Sequence, residues 1–408
     1  IAAASTDITS VVVDTFFGNT QVAFASLADL AALTTATSAV PMNTFTLASA
    51  EGGTATLGLT TITNLDVITF AGAAAVNITA TAAQVDAPTL AVSNGFIGSS
   101  ALTDVLNVTT ATTSGQLDSV AAFETINLNG GASAVTTLNG LVASGATVLL
   151  NASASTGALT LIDTAETDGV LNVTGSNFGD TMTLGLGTNN AATKATITVG
   201  AANDFINLGT SSALQGGYNI NLAAGGDDAV KYASLINGAT ASVADTITGF
   251  TVGSAATGDL IGITIGDVDV SGTALAFSKF ISTGPSADIG ATVARGGSTV
   301  FTAAANNGPV AITVTAAEMI KLTSTTATSF ADAIGATSIA IANANIANTE
   351  AGLVAWYNST ASQAVLGYFV GTGNLASQVL DNTDTVTTIA TIGMSAADYA
   401  NFGTNQLF

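Results

Sequence analysis

Residues 170–222 read VLNVTGSNFGDTMTLGLGTNNAATKATITVGAANDFINLGTSSALQGGYNINL. One short piece recurs in it: an aliphatic, a polar or small residue, then a second aliphatic. The copies are Leu171-Asn172-Val173, Met182-Thr183-Leu184, Ile197-Thr198-Val199, Ile206-Asn207-Leu208 and Ile220-Asn221-Leu222. Period-2 alternation bounded by Gly, Asn and Ser marks half-buried strands. Upstream the piece returns as Leu106-Asn107-Val108, Ile126-Asn127-Leu128, Val148-Leu149-Leu150 and Leu159-Thr160-Leu161. One strand plus one turn, repeated about every 12 residues, is the pattern of a solenoid or a stacked sandwich. The fold expected is all-β: a parallel β-solenoid with a C-terminal β-rich domain and few short helices. The best helical periodicity lies in residues 21–36, QVAFASLADLAALTTA.

A second feature is an aspartate two residues before an aliphatic, at Asp66, Asp104, Asp180, Asp204, Asp228, Asp245 and Asp384. Asp180, Asp204 and Asp228 are 24 residues apart in turn. Two strands of about 12 residues make one turn of a flattened coil, so this spacing stacks three carboxylates in one column. Like charges so stacked repel unless a cation sits between the layers. Against this stands the simpler role of Asp as a turn residue that starts strands.

The segments GSNFGDTMT (175–183), VGAANDFIN (199–207) and AAGGDDAVK (223–231) resemble degenerate forms of the RTX nonapeptide GGxGxDx-aliphatic-x. Asp180, Gly200, Asp204, Gly225, Gly226 and Asp228 fall on positions of that pattern. VADTITGFTVGSAATGDLIGI (243–263) is similar to the segment that closes RTX arrays, with Asp245, Ile247, Phe250, Gly253 and Asp259 filling it. FETINLNGGASAVTTLNG (123–140) resembles rungs of bacterial surface-layer proteins. VTTIATIGMSAADYANF (386–402) resembles the uncleaved C-terminal region of type I secretion substrates. The resemblance implies Ca²⁺ as cofactor, held by Asp180, Asn203, Asp204, Gly225, Gly226, Asp227, Asp228, Asp245 and Asp259. Hard cations take six to eight oxygens, and Gly-rich turns offer carbonyls beside the carboxylates.

Composition narrows the function. The 408 residues include 5 Lys and Arg against 27 Asp and Glu, a formal net charge of −22, although only 8% are charged. The first base is Lys194. Histidine and cysteine are absent, which removes His-based triads, thiolate chemistry, zinc fingers and haem ligation. An acidic chain is also a poor match to nucleic acid. No apolar run approaches the ~20 residues of a spanning helix, so no transmembrane segment is expected. Aromatic girdles and charged loops, the marks of an outer-membrane barrel, are sparse. The start, Ile1-Ala2-Ala3-Ala4, has no basic n-region; the expectation is either a removed segment or another export route.

Enzymatic readings are weak. The loop after Asp163 runs Asp163-Thr164-Ala165, where the retroviral-type protease loop has Asp-Thr-Gly. Some pair among 27 acids meets the glycosidase spacing by chance, and sugar subsites favour aromatics, here 6% of residues. Asn77, Asn107, Asn151, Asn172 and Asn358 lie in N-x-S/T triplets, as chance allows in a chain rich in Asn, Ser and Thr. The expectation is no enzyme. It is a structural subunit of a self-assembling surface layer or extracellular filament, a homo-oligomer stabilised by calcium, located at the cell surface. A cell-surface glycan or lipopolysaccharide is a further expected partner. The alternative is a secreted RTX-type adhesin or glycan-binding surface protein. The expected domain map is a cap or linker over 1–50, a solenoid over 51–250 and a β-rich domain with the secretion-type tail over 251–408.

Overall fold

A computed structural model describes residues 2–3 and 10–13 and, with short internal gaps, 21–85, 96–138, 147–163, 170–184, 194–208, 217–235, 244–265, 300–341, 351–382 and 386–407. The chain is mostly β and coils as a parallel β-solenoid, with four short helices among the described residues. It divides into two compact units, 1–190 and 191–408. That division falls within 51–250, a few residues before the first base, Lys194.

In the first unit, one sheet stacks Gly53–Thr56, Val76–Thr81, Val105–Thr110, Thr125–Gly130, Thr147–Asn151 and Val170–Thr174, all parallel. A second stacks Gly115–Leu117, Thr136–Leu138, Leu159–Asp163 and Thr181–Leu184. A third stacks Ala2–Ala3, Gln21–Phe24, Thr44–Leu47, Ile68–Thr69, Phe96–Ile97 and Val120–Ala121. Successive strands go to different sheets, so the chain winds as a coil, and this winding already includes the strands Ala2–Ala3, Gln21–Phe24 and Thr44–Leu47. The alternation supplies the core. Ile78, Leu106, Val108, Ile126, Leu128, Leu150 and Val173 point inward and are buried, each contributing roughly 1.5–3 kcal/mol. Phe96 and Phe123 stack at 5.8 Å between centroids, and Phe70 meets Phe96 edge-on at 5.4 Å.

The outward positions of the first sheet form files. Thr56, Thr79, Asn107, Asn127, Asn151 and Thr174 are register neighbours in turn. Side-chain amides join them: Asn127 Nδ2 donates to Asn107 Oδ1 at 2.9 Å and Asn151 Nδ2 to Asn127 Oδ1 at 3.2 Å. Asn107 Nδ2 donates to Asn77 Oδ1 at 2.7 Å. Asn77, Asn107 and Asn151, three of the N-x-S/T asparagines, are thus rungs of an amide ladder.

The helix expected over 21–36 is only Leu27–Ala32. Gln21–Phe24 before it and Thr35–Met42 after it are strands. Ser26 caps the helix by accepting the Asp29 N–H, and Leu27 and Leu30 are buried. The Ala and Leu spacing is real, but strand pairing of Val22 and Phe24 claims the first part.

In the second unit, Ala195–Thr198, Tyr218–Asn221 and Asp245–Thr248 are parallel, as are Phe205–Leu208, Ala229–Leu235 and Leu260–Ile265. Val386–Gly393 pairs in parallel with Asp245–Thr248 and antiparallel with Gln363–Val370. The latter forms a hairpin with Ala351–Asn358. Pairing therefore crosses residue 250, where the sequence reading separates the solenoid from the C-terminal region. At the hairpin tip Asn358 Oδ1 accepts the N–H groups of Thr360 and Ala361.

The tail completes this unit. Helix Ala396–Asn401 starts with a capping box between Ser395 and Asp398. Tyr399, Phe402 and Leu407 are buried. The Tyr399 hydroxyl donates to the carbonyls of Leu322 and Ala355 at 2.8 and 3.0 Å. Buried Lys321 donates to the carbonyls of Ala400 and Phe402 at 2.9 and 2.6 Å. Its Nζ lies 4.9 Å from the Tyr399 ring centroid. A cation at the carboxyl end of a helix meets exposed carbonyls and the negative end of the dipole.

Candidate cation site at the carboxylate turns

Among the described residues, Asp104, Asp180, Asp228, Asp245 and Asp259 are buried at strand starts and share one job. In a parallel stack the first N–H of a rung lacks a strand partner, and a buried N–H must find an acceptor. The carboxylate at the matching position of the next rung supplies it. Val76 N donates to Asp104 Oδ1 at 2.9 Å, Leu159 N to Asp180 Oδ1 at 2.7 Å and Tyr218 N to Asp245 Oδ1 at 2.6 Å. Asp204 N donates to Asp228 Oδ1 at 2.9 Å and Asp228 N to Asp259 Oδ1 at 2.8 Å.

The second carboxylate oxygen often closes the Asp's own turn. Ser176 N donates to Asp180 Oδ2 at 2.7 Å and the Ser176 hydroxyl to Oδ1 at 2.6 Å. Ser99 does the same for Asp104, and Thr251 N donates to Asp259 Oδ2 at 2.7 Å. Glu124 replaces Asp in this scheme, its Oε2 accepting the Asp104 N–H at 2.7 Å. Sequence reasoning missed Glu124. Its signal was its place directly before the Thr125–Gly130 strand.

Asn203, Asp227 and Gly258 occupy the preceding position, and there the direction reverses. Asp227 N donates down to Asn203 Oδ1 at 2.9 Å, and Gly258 N donates down to Asp227 Oδ1 at 2.6 Å. Gly225 and Gly226 take φ values of +101° and +119°. A Cβ on Gly226 would strike the Ala202 carbonyl of the rung below, so glycine is required there.

The structure does not bring all the expected site residues together. Asp180 serves the first unit. Asp245 heads a strand of the other sheet, beside Tyr232 and Lys194; burial lifts its pKa to about 6, against the Tyr218 N–H and Lys194, which lower it. Asp204, Asp227, Asp228 and Asp259 form one group, with Asn203, Gly225 and Gly226 in its turns. Among the described residues no three acidic side chains converge as a cation shell. Within the group, Asp228 Oδ2 is buried without a hydrogen-bond partner. Burial raises the Asp228 pKa to about 8, with Asp204, Asp259 and Asp227 adding repulsion. Burial likewise lifts Asp180 to about 6. Asp66 and Asp384, and the loop after Asp163, lie outside the described residues.

Comparison of the chain with family models, curated proteins and solved structures returned no match.

Asp104→Ala is expected to cost about 3 kcal/mol, because the buried N–H groups of Val76 and Ser99 lose their acceptor. Denaturant unfolding measures it; a loss under about 1 kcal/mol would contradict the clamp role.

Proposed function

We propose that the chain is a calcium-stabilised structural subunit of an extracellular self-assembling layer or filament. The observation that carries the reading is Asp228: a buried carboxylate with one open oxygen, among three further carboxylates. A proton or a cation answers such a group, and Ca²⁺ suits it because turn carbonyls and water complete a shell of six to eight oxygens. Asp228 and Asp227 would hold the ion, with the Gly225–Gly226 turn giving the backbone close approach. Asp180 and Asp104 fit a cation less well, since N–H and hydroxyl donors already occupy both their carboxylate oxygens.

A repetitive coil with few charges suits a building element: copies pack without burying unpaired charge, and calcium reduces the self-repulsion of a −22 chain. In this reading the protein is exported with its tail as the signal. Recognition of the tail precedes folding, because the folded unit buries Tyr399 and Phe402. Electron microscopy and light scattering with calcium and with excess chelator test the proposal. Ordered arrays that dissolve on chelation are expected. Monomers under both conditions would overturn it.

A further inference from the structure

We infer that the Asn/Thr face of the first unit is the surface on which a second copy of this chain docks, face to face. The inference rests on the self-assembly reading and names its contact. The six strands from Gly53–Thr56 to Val170–Thr174 contain no charged residue, in a chain of net charge −22 with no base before Lys194. Acid-bearing surfaces of two copies repel, and this face does not.

Its chemistry is self-complementary. An amide is both donor and acceptor, and Asn127 and Asn151 each give one N–H to the ladder, which leaves their second N–H for a partner. A two-fold axis then sets donors against acceptors, as an isologous contact requires. The ladder also holds the side chains in place beforehand, which lowers the ordering cost of association. The face offers no aromatic platform for a sugar. Leu149, 37% exposed, and Val105 are its aliphatic outward residues, too few for a lipid surface.

Size sets the strength. Five inter-strand spacings of ~4.8 Å by five residues of ~3.3 Å give roughly 400 Å² per copy. A stable pair needs about 800 Å². The contact is therefore weak alone and suited to repetition in an array.

The test is sedimentation of the full chain in calcium, comparing wild type, Leu149→Glu and Leu149→Gln, with circular dichroism to confirm folding. Leu149 is exposed and outside the amide ladder, so its replacement leaves the coil intact. Wild type and Leu149→Gln are expected to associate with similar midpoints, and Leu149→Glu at least ~10-fold more weakly, from like charges meeting across the axis. If Leu149→Glu associates as well as wild type, this face is not the contact, while the assembly reading stands. A wild type that stays monomeric sinks both. A monomer that instead binds a neutral polysaccharide through this face, with binding lost in Leu149→Glu, assigns the surface to glycan and overturns the inference.

Discussion

In excess chelator, the unit 191–408 is expected to melt roughly 10 °C lower at about pH 8.5 than at about pH 5.5. The cause is Asp228, whose folded pKa of about 8 lies well above the ordinary carboxylate range because burial disfavours its charge. A group with a raised folded pKa keeps its proton in the native state while the unfolded chain loses it. Its contribution is complete below the unfolded pKa and is lost as pH rises through the folded value. Asp245, lifted to about 6, adds the same trend lower in the window. Together they amount to a few kcal/mol, or roughly 10 °C in Tm for a unit of this size.

Calcium should reverse the loss at high pH and do little at low pH, since proton and cation compete for the same oxygen. Asp228→Asn separates the causes. Its Oδ1 still accepts the Asp204 N–H, while its Nδ2 donates toward neighbouring carboxylates where the acid repelled them. The variant should lose most of the pH slope and most of the calcium response. Thermal unfolding across pH, with calcium and with chelator, decides. A Tm independent of pH in chelator would contradict the burial account, and an unchanged calcium response in Asp228→Asn would remove that residue from the site.

Removing Ser395–Phe408 is expected to prevent stable folding of the second unit. Tyr399, Phe402 and Leu407 are buried, and at about 2 kcal/mol each their loss costs roughly 6 kcal/mol. That is comparable with the whole stability of a typical domain. The deletion also strands the Lys321 ammonium, whose pKa burial already lowers, without its two carbonyl partners. Hydrogen exchange should rise in Met319–Leu322, Ala351–Asn358 and Val386–Gly393. Tyr399→Phe is the graded version: it loses the hydroxyl's hydrogen bond, shared between the Leu322 and Ala355 carbonyls, and keeps the ring, for about 1–2 kcal/mol. If the truncated chain exchanges as slowly as the intact one, the tail is an appendage and the packing account fails. An export assay on the truncated chain reads folding and secretion together, so Tyr399→Phe is the cleaner probe of recognition.

The coil was legible because alternation is local. Ile206-Asn207-Leu208 alternates in burial as a half-buried strand must, and the 24 residues from Asp204 to Asp228 make one register step, Phe205 opposite Ala229. The donors to the carboxylates were not legible, since they lie in other rungs: Leu159 for Asp180 and Tyr218 for Asp245. Nor was the separation of Asp245 from Asp259. Both fit one linear pattern, yet the chain changes sheets between them. The tail misled for a similar reason. Its small and apolar residues read as a segment apart, whereas Tyr399 bonds to carbonyls 77 and 44 positions upstream.

The two hydrogen-bonded columns at 203–227–258 and 204–228–259 run in opposite directions. Each rung both lends to and borrows from its neighbours, so a rung cannot simply stop. These two columns end where Asp259 turns back on its own loop, its N–H to the Thr251 carbonyl and its Oδ2 to the Thr251 N–H. A fragment broken before that seal presents raw amides and carboxylates in register with any other broken copy. Truncated chains would template one another, and proteolytic nicking becomes a route to fibrous aggregates.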